Sequence, residues 1–339
     1  MSNVKLKIAV SALTTLLLFW GIMVHQAVAQ VAGRVVVAKS GGDYTSISAA
    51  LAAISPTSAN PYVIDVMPGT YVENVVIPGN YSYLHLRGAG HAVTIIQSSS
   101  PSSDVVAIAP NGGQPTNITI SGFTIKGGSR GLLDFSMGST ITANAFSGNV
   151  FAMQLYSNGT LVTGNIIDVE SYGINVPSSS GQITISGNTI TVRSGGFGIF
   201  FGGLAEIAIN NNTIRLNPFS TEVNAIGIRA SQSSGFSNRN AVIQGNTFLN
   251  LSTGIDANGF NGNIIGNTFN NKKGLVLSNS SQARVIGNNF LEGQFGYEDI
   301  VIDATSTSNV SHNIYDILVG NTGVGLYNVK SDGSPAPNP

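Results

Sequence analysis

The chain has 339 residues, with 15 Lys and Arg against 16 Asp and Glu; charged residues make up 9% and apolar ones 42%. A net charge of −1 provides no basic field to hold a phosphate backbone by counterion release, which excludes nucleic acid as a partner. With no Cys, disulfides, thiolate metal centres and a lipid-modified cysteine are excluded too, and four His leave little for a His-based metal site.

The first predicted element is a leader. Lys5 and Lys7 precede an apolar run from Ile8 to Val24, and the small triplet Ala27-Val28-Ala29 follows. This pattern marks residues 1–29 as a secretory signal peptide cut before Gln30. The alternative is an uncleaved span, for which a run of about 17 residues is near the lower limit. The mature chain then carries 13 basic and 16 acidic residues. It is expected to be monomeric, free of the membrane, and periplasmic or secreted. Its surface must be covered largely by neutral Gly, Ser, Thr and Asn, which suits a hydroxyl-rich partner.

Residues 30–104 begin with short strand-like segments and one amphipathic helix, "TSISAALAAIS" from Thr45 to Ser55, with a Ser/Thr start and Ile47, Ala50, Leu51 and Ile54 on one face. From 105 to 330 the chain repeats. Asparagines recur in one local frame at Asn144, Asn165, Asn188, Asn212, Asn246, Asn267, Asn288 and Asn313, at intervals of 21, 23, 24, 34, 21, 21 and 25 residues, and Phe123 holds the same frame 21 residues before the first. A second signature runs in step: "GINV" at 173, "GIFF" at 198, "GIRA" at 227, "GIDA" at 254 and "GLVL" at 274. Each unit thus contains two or three period-2 segments broken by Gly, Asn or Ser, without helical periodicity.

A unit of this size at ~3.3 Å per residue forms one turn of a wide coil, with turns stacked ~4.8 Å apart. The predicted fold is therefore all-β, a right-handed single-stranded parallel β-helix of about ten coils with a short N-terminal α-helical cap. The asparagines are expected to stack from coil to coil as a hydrogen-bonded ladder, with αL backbone geometry at the asparagine itself. Residues 331–339, "SDGSPAPNP", have the composition of a disordered tail.

The segments "VVVAKSGGDYTSISAALAAI", "YVIDVMPGTYVENVVIP" and "YLHLRGAGHAVTIIQS", spanning Val35 to Gln97, resemble the N-terminal region of pectin methylesterases and the pectin-lyase-like β-helix superfamily. They include Gly69, Tyr71 and Glu73 of the esterase-type Gly-x-Tyr-x-Glu, which builds the first coil beside the helix. The resemblance implies a right-handed β-helix acting on polysaccharide. The esterase blocks that supply a general-acid aspartate and an oxyanion glutamine have no counterpart. The Leu-Gly-Arg-Pro-Trp block is absent as well, since the single Trp is Trp20 in the leader. "LDFSMG", with Asp134, Phe135 and Gly138, is similar to the family's nucleophile block, but stands only 61 residues beyond Glu73.

If the coils are in register, the variable residue of each "GI-x" signature points outward in a column of Asp134, Gln154, Asn175, Phe200, Arg229, Asp256, Val276 and Asp303. Its middle offers an oligosaccharide subsite, with Asn175 and Phe200 contacting substrate and Arg229 and Asp256 catalytic. Glu222, in the long 212–246 insertion, is the candidate second carboxylate, and Glu206 on the preceding coil is another. The competing interpretation is an exposed Arg229–Asp256 ion pair worth ~0.5 kcal/mol beside a surface Phe.

No cofactor is expected. Glu298, Asp299 and Asp303 could hold Ca²⁺ through their oxygens but lack a ligand-dense spacing. His85, His91 and His312 fit turn positions. Function is thus expected to be polysaccharide binding or processing, by a lyase or glycoside hydrolase reaction if catalytic. The alternatives are a non-catalytic structural or adhesin-like surface β-helix and, third, a pectin methylesterase.

Overall fold

The computed structural model describes residues 33–177, 181–203, 206–220, 224–231, 238–291, 298–320 and 325–337. The predicted leader, residues 1–29, lies outside the described residues. Among those residues the strands form three sheets of 12, 11 and 10 members. In each sheet a strand's neighbours lie one repeat before and one repeat after it in the sequence. Pairing between successive coils is parallel throughout, as in Ile226–Ser231 against Thr253–Asn258. The chain is a parallel β-solenoid of about ten turns with almost no helix.

Alternation within each strand fills the interior. In the 12-stranded sheet Ile120, Ile141, Val162, Ile185 and Ile209 sit one above another, each fully buried. In the 10-stranded sheet Phe248 stacks on Phe269 at 5.0 Å, and Phe269 on Phe290 at 4.5 Å. These rings explain the second sequence signature at 227, 254 and 274, whereas at Gly173 and Gly198 the space is taken by Ile190 and Ile214 and by the carbonyl of the next coil. A Cβ on Gly254 would come within 2.5 Å of the Phe269 ring and 2.7 Å of the Gly274 carbonyl oxygen, so only glycine fits where the ring reaches across the coil.

The ladder asparagines run up one corner, each at most 1% exposed. The Asn188 backbone N–H and Nδ2 both donate to Asn212 Oδ1 at 2.9 Å, while Asn188 Oδ1 accepts the equivalent pair from Asn165 at 2.9 and 3.0 Å. Asn188 Nδ2 also donates to the Val162 carbonyl of the coil below at 3.0 Å. The same pattern links Asn144 through Asn313. Phe123 N–H donates to Asn144 Oδ1 at one end, and Asn328 receives Asn313 at the other. Asn328 escapes a search by spacing because it follows after only 15 residues.

The expected αL geometry belongs to the residue before each ladder asparagine. Gly164, Gly187, Gly245, Gly266 and Gly287 hold it with φ of 61–65°, and Ala143, Asn211, His312 and Tyr327 hold it with φ of 54–62°. The turn must bend the chain just ahead of the amide, leaving the asparagine itself outside αL. Glycine adopts that conformation with the least strain, hence the frequent "GN".

One helix, Ile47–Ala52, is shorter than the expected Thr45–Ser55 and buries Ile47, Ala50 and Leu51. Ser46 Oγ accepts from Ala49 N–H at 3.2 Å. The Tyr81 hydroxyl donates to the Leu51 and Ile54 carbonyls at 2.7 and 2.8 Å, satisfying the other end. Among the described residues no helix is long and apolar enough to cross a membrane. Of the tail whose composition suggests disorder, residues 331–337 lie back on the last coil: Ala336 is 7% exposed and its N–H donates to the Asn328 carbonyl at 3.1 Å. Pairing with the last coil outweighs the low hydrophobicity of that segment.

The acidic cluster near this end is divided among separate partners. Glu298 pairs with Lys273 at 2.6 Å. Asp299 Oδ2 accepts from Asp316 and Ile317 N–H at 2.8 and 2.9 Å. Asp303 accepts from Asn279 N–H at 2.8 Å, Thr305 N–H at 3.0 Å and Ser306 Oγ at 2.7 Å. Partial burial raises the Asp303 pKa, but these hydrogen bonds outweigh it and hold the carboxyl at about 2.

Two outcomes follow for stability. Asn188→Ala is expected to lower the unfolding free energy by about 1–3 kcal/mol, because it deprives the buried Asn165 N–H of its acceptor and removes the amide's donations to Asn212 Oδ1 and the Val162 carbonyl. An unchanged urea midpoint would contradict the ladder's role. Because the folded Asp303 pKa lies below its ordinary 3.8, its contribution is present above that value and lost as pH falls toward 2. The midpoint difference between wild type and Asp303→Ala should therefore persist at neutral pH and shrink across that acidic window; a difference independent of pH would refute the assignment.

Candidate functional site

The residues that resemble esterase motifs are occupied structurally. Glu73 accepts from the Ile47 and Ser48 N–H groups at 2.9 and 2.8 Å, and from Ser48 Oγ at 2.5 Å, neutralising the free donors of the helix start. Tyr71 is 1% exposed and donates to the Met67 carbonyl at 3.0 Å, with Lys39 Nζ 4.2 Å from its ring centroid. Asp134 is fully buried. Its carboxylate accepts from Ser136 N–H at 2.9 Å and from the Ser139 and Thr160 hydroxyls at 2.5 and 3.3 Å. It has no open face to offer a substrate ester.

The outward column on the 11-stranded sheet is in register over its middle. Gln154, Asn175, Phe200, Arg229, Asp256 and Val276 pair successively from coil to coil. Two assignments at its ends are corrected. Leu133, not Asp134, pairs with Gln154, and Asp134 pairs with Leu155 among the inward positions. Val301, not Asp303, pairs with Val276. Asp134 lies one residue beyond the outward position that Gly131 sets, which turns it to the inner face, and Asp303 lies two residues beyond Val301, past the end of Glu298–Ile302, a strand with Asp299 where the signature glycine would stand.

A parallel column that the "GI-x" frame misses stands beside it, carrying the residue before the signature glycine, or before Ala152 and Asp299 where these replace it: Arg130, Phe151, Tyr172, Phe197, Ile226, Thr253, Lys273 and Glu298. Phe151 stacks on Tyr172 at 4.8 Å and 5°, and Tyr172 on Phe197 at 5.1 Å and 29°. The Arg229 guanidinium lies 5.7 Å from the Phe197 centroid and closes one end of this tower. Because the rings stack along the solenoid axis, their faces are used by one another. Phe200 is different: it stands at 87° to Tyr172 and 68° to Phe197. The signal for the tower is available in "YGIN" and "FGIF", one position ahead of the glycine and three ahead of the Asn175 and Phe200 column.

Charge on this surface is compensated locally. Arg130 holds Asp104 through two contacts at 2.5 and 3.0 Å and donates to Gln154 Oε1 at 3.1 Å. Arg229 Nη1 lies 3.4 Å from Asp256 Oδ2, with side-chain exposures of 36% and 19%. Burial pushes the Asp256 carboxyl above the usual carboxylate range, and Arg229 offsets this only in part. Asn175 is 7% exposed, and its Oδ1 has no partner among the described residues.

The expected second carboxylate, Glu222, lies outside the described residues. Glu206 is exposed at the start of Ile207–Asn210, a strand of the 12-stranded sheet, and its Oε2 accepts from Gln182 Nε2 at 3.3 Å. It belongs to a different sheet from Asp256. No group of three or more His, Asp or Glu is placed to hold a metal among the described residues.

The comparisons fall on both halves of the chain. The pectinesterase family model matches residues 34–122, which ends before Asp134. The chain is 35% identical over 85 residues to a probable pectinesterase of Arabidopsis thaliana, covering 25% of each, so it spans about a quarter of that relative's length. Over 180 residues it is 32% identical to a cell surface glycoprotein of Methanothermus fervidus, covering 50% of this chain and 28% of the other. Among solved structures, the catalytic domain of a GH87 alpha-1,3-glucanase in complex with nigerose shares the fold, with a TM-score of 0.54 at 12% identity over 92% of this chain and 68% of that one. The chain is a parallel β-solenoid whose residues 34–122 are similar to the pectinesterase family.

Proposed function

We propose that this is an exported right-handed β-helix, capped at its N-terminus by Ile47–Ala52, that binds or processes an extracellular or periplasmic polysaccharide on the outer face of the 11-stranded sheet. The observation that carries the proposal is the in-register sequence Asn175, Phe200, Arg229 and Asp256 on four adjacent coils. Coils repeat every ~4.8 Å, so a glycan lying along this face meets a new side chain at each step. Phe200 stacks on a sugar ring. Asn175 supplies a buried acceptor for a hydroxyl, and Arg229 and Asp256 bracket the next unit.

If the protein cleaves its ligand, Asp256 is the proton donor, since burial favours its protonated form. Arg229 stabilises developing charge, and Glu222 serves as the second carboxylate from the insertion. The likeness of the N-terminal part to pectinesterases, and the shared fold of a glucanase solved with a disaccharide, support the ligand class by analogy. The ladder and the match to a cell surface glycoprotein over half the chain favour a second reading, a non-catalytic surface rod. Neither reading requires a cofactor.

A panel of pectin, alginate, glycosaminoglycans and bacterial exopolysaccharides is expected to include at least one polymer that the protein binds, with binding unchanged by EDTA. No binding and no cleavage across the panel would favour the rod. Where cleavage occurs, Asp256→Asn and Arg229→Ala should each lower the rate at least tenfold, about 1.4 kcal/mol of transition-state stabilisation; unchanged rates place the chemistry elsewhere. Methanol release from methylated pectin is expected to stay at background, because Asp134 is enclosed. Release above background would restore the esterase reading.

A further inference from the structure

The 212–246 interval holds an aromatic ring that the face described above does not use. Phe219 is 91% exposed, more than any other large apolar side chain among the described residues. It sits at the tip of a turn, not on a loose excursion. Asn217 is 9% exposed, its N–H donates to the Val192 carbonyl at 2.7 Å, its Oδ1 accepts from Phe219 N–H at 2.9 Å, and its carbonyl accepts from Ser220 N–H at 3.0 Å. The turn therefore presents the ring in a fixed place.

Beside it lies a groove of about 410 Å³, lined by both chain neighbours of Phe219, Pro218 and Ser220, and by Arg215, Leu249 and Asn250. That volume is within the range of small-ligand sites. Arg215 Nε donates to Thr191 Oγ1 at 3.3 Å, and its terminal nitrogens have no partner among the described residues. Apolar walls, guanidinium and amide donors and a free aromatic ring together match one ligand chemistry. A pyranose in the groove would meet the Leu216, Pro218 and Leu249 side chains with its C–H groups and Arg215 and Asn250 with its hydroxyls, and the Phe219 ring, which does not itself line the groove, stands on the adjoining turn. A protein partner would need a contact of roughly 800 Å² per side, and a single protruding ring beside a groove of this size does not provide one.

We propose that the Phe219 groove is a second sugar subsite, placed at the corner where the chain leaves Thr213–Leu216 of the 10-stranded sheet for Ile226–Ser231, the strand that carries Arg229. The proposal rests on the polysaccharide reading of the outer face. It adds a contact on the same coil as Arg229 but on an adjoining side of the solenoid.

The test compares Phe219→Ala, Arg215→Gln and Phe200→Ala in the full chain. Affinity electrophoresis is run in gels containing methylated pectin, unmethylated pectin, alginate or α-1,3-glucan. Melting temperature serves as a control, which the exposed Phe219 should leave unchanged. For the polymer the wild type binds, Phe219→Ala and Arg215→Gln should each weaken binding at least fivefold. If both bind within twofold of wild type while Phe200→Ala is weakened, the second subsite is overturned and the outer-face reading stands. If Phe219→Ala is weakened and Phe200→Ala is not, the groove is supported and the outer face loses its role. Wild type that binds none of the four polymers overturns the groove as a sugar subsite.

Discussion

The hydrogen-bonded asparagine ladder is the constraint on which the rest of the molecule depends. Burying an amide is costly unless its donors and acceptor are met, and here each amide is met from the coil below and the coil above. A coil shifted by one residue would break three or more such bonds and drive an asparagine among isoleucines. The ladder thus converts a stack of similar strands, whose register hydrophobicity alone specifies loosely, into one with a fixed count. The αL residue ahead of each asparagine aims the amide along the stack, so the "GN" pair acts as a unit.

Fixed register gives side chains on different coils a defined neighbour. Phe200, Arg229 and Asp256 are 27 to 29 residues apart in sequence and adjacent in space. The aromatic tower exploits the same regularity, since rings at one position of successive coils stack at 4.8 and 5.1 Å. Stacking uses the ring faces of the tower, whereas Phe200 is set across it, at 87° to Tyr172 and 68° to Phe197. Ion pairs on this surface also form between neighbouring coils, Arg130 with Asp104, Arg229 with Asp256 and Lys273 with Glu298, so the face presents polar groups with little net charge. Such a surface suits a hydroxyl-rich partner better than a highly charged one.

The architecture could be read from the sequence because its two signatures each have a physical cause: the amide that must be paired, and the glycine that an inward side chain and the next coil's carbonyl exclude from bearing a Cβ. The middle of the outward column was legible for the same reason, with the "GI" glycines at 173, 198, 227 and 254 anchoring the count. Where that glycine was followed by "LL" before Asp134, or absent before Asp303, the count slipped and each aspartate landed in a local hydrogen-bond network. The tower of Phe151, Tyr172 and Phe197 occupies a second outward position, three residues ahead of the column that the "GI" glycines mark, and one strand can present both. Asn328 and the folded tail were missed because the last coil is short and its contacts are long-range pairings that composition does not encode.

The outer face is the central claim, and a crystal structure of the chain soaked with a hexasaccharide of whichever polymer it binds tests it most directly. The account predicts sugar density along the 11-stranded sheet, with one ring on Phe200 and the next unit between Arg229 and Asp256. Ordered sugar on the 12-stranded sheet, with the Phe200 face empty, would contradict it.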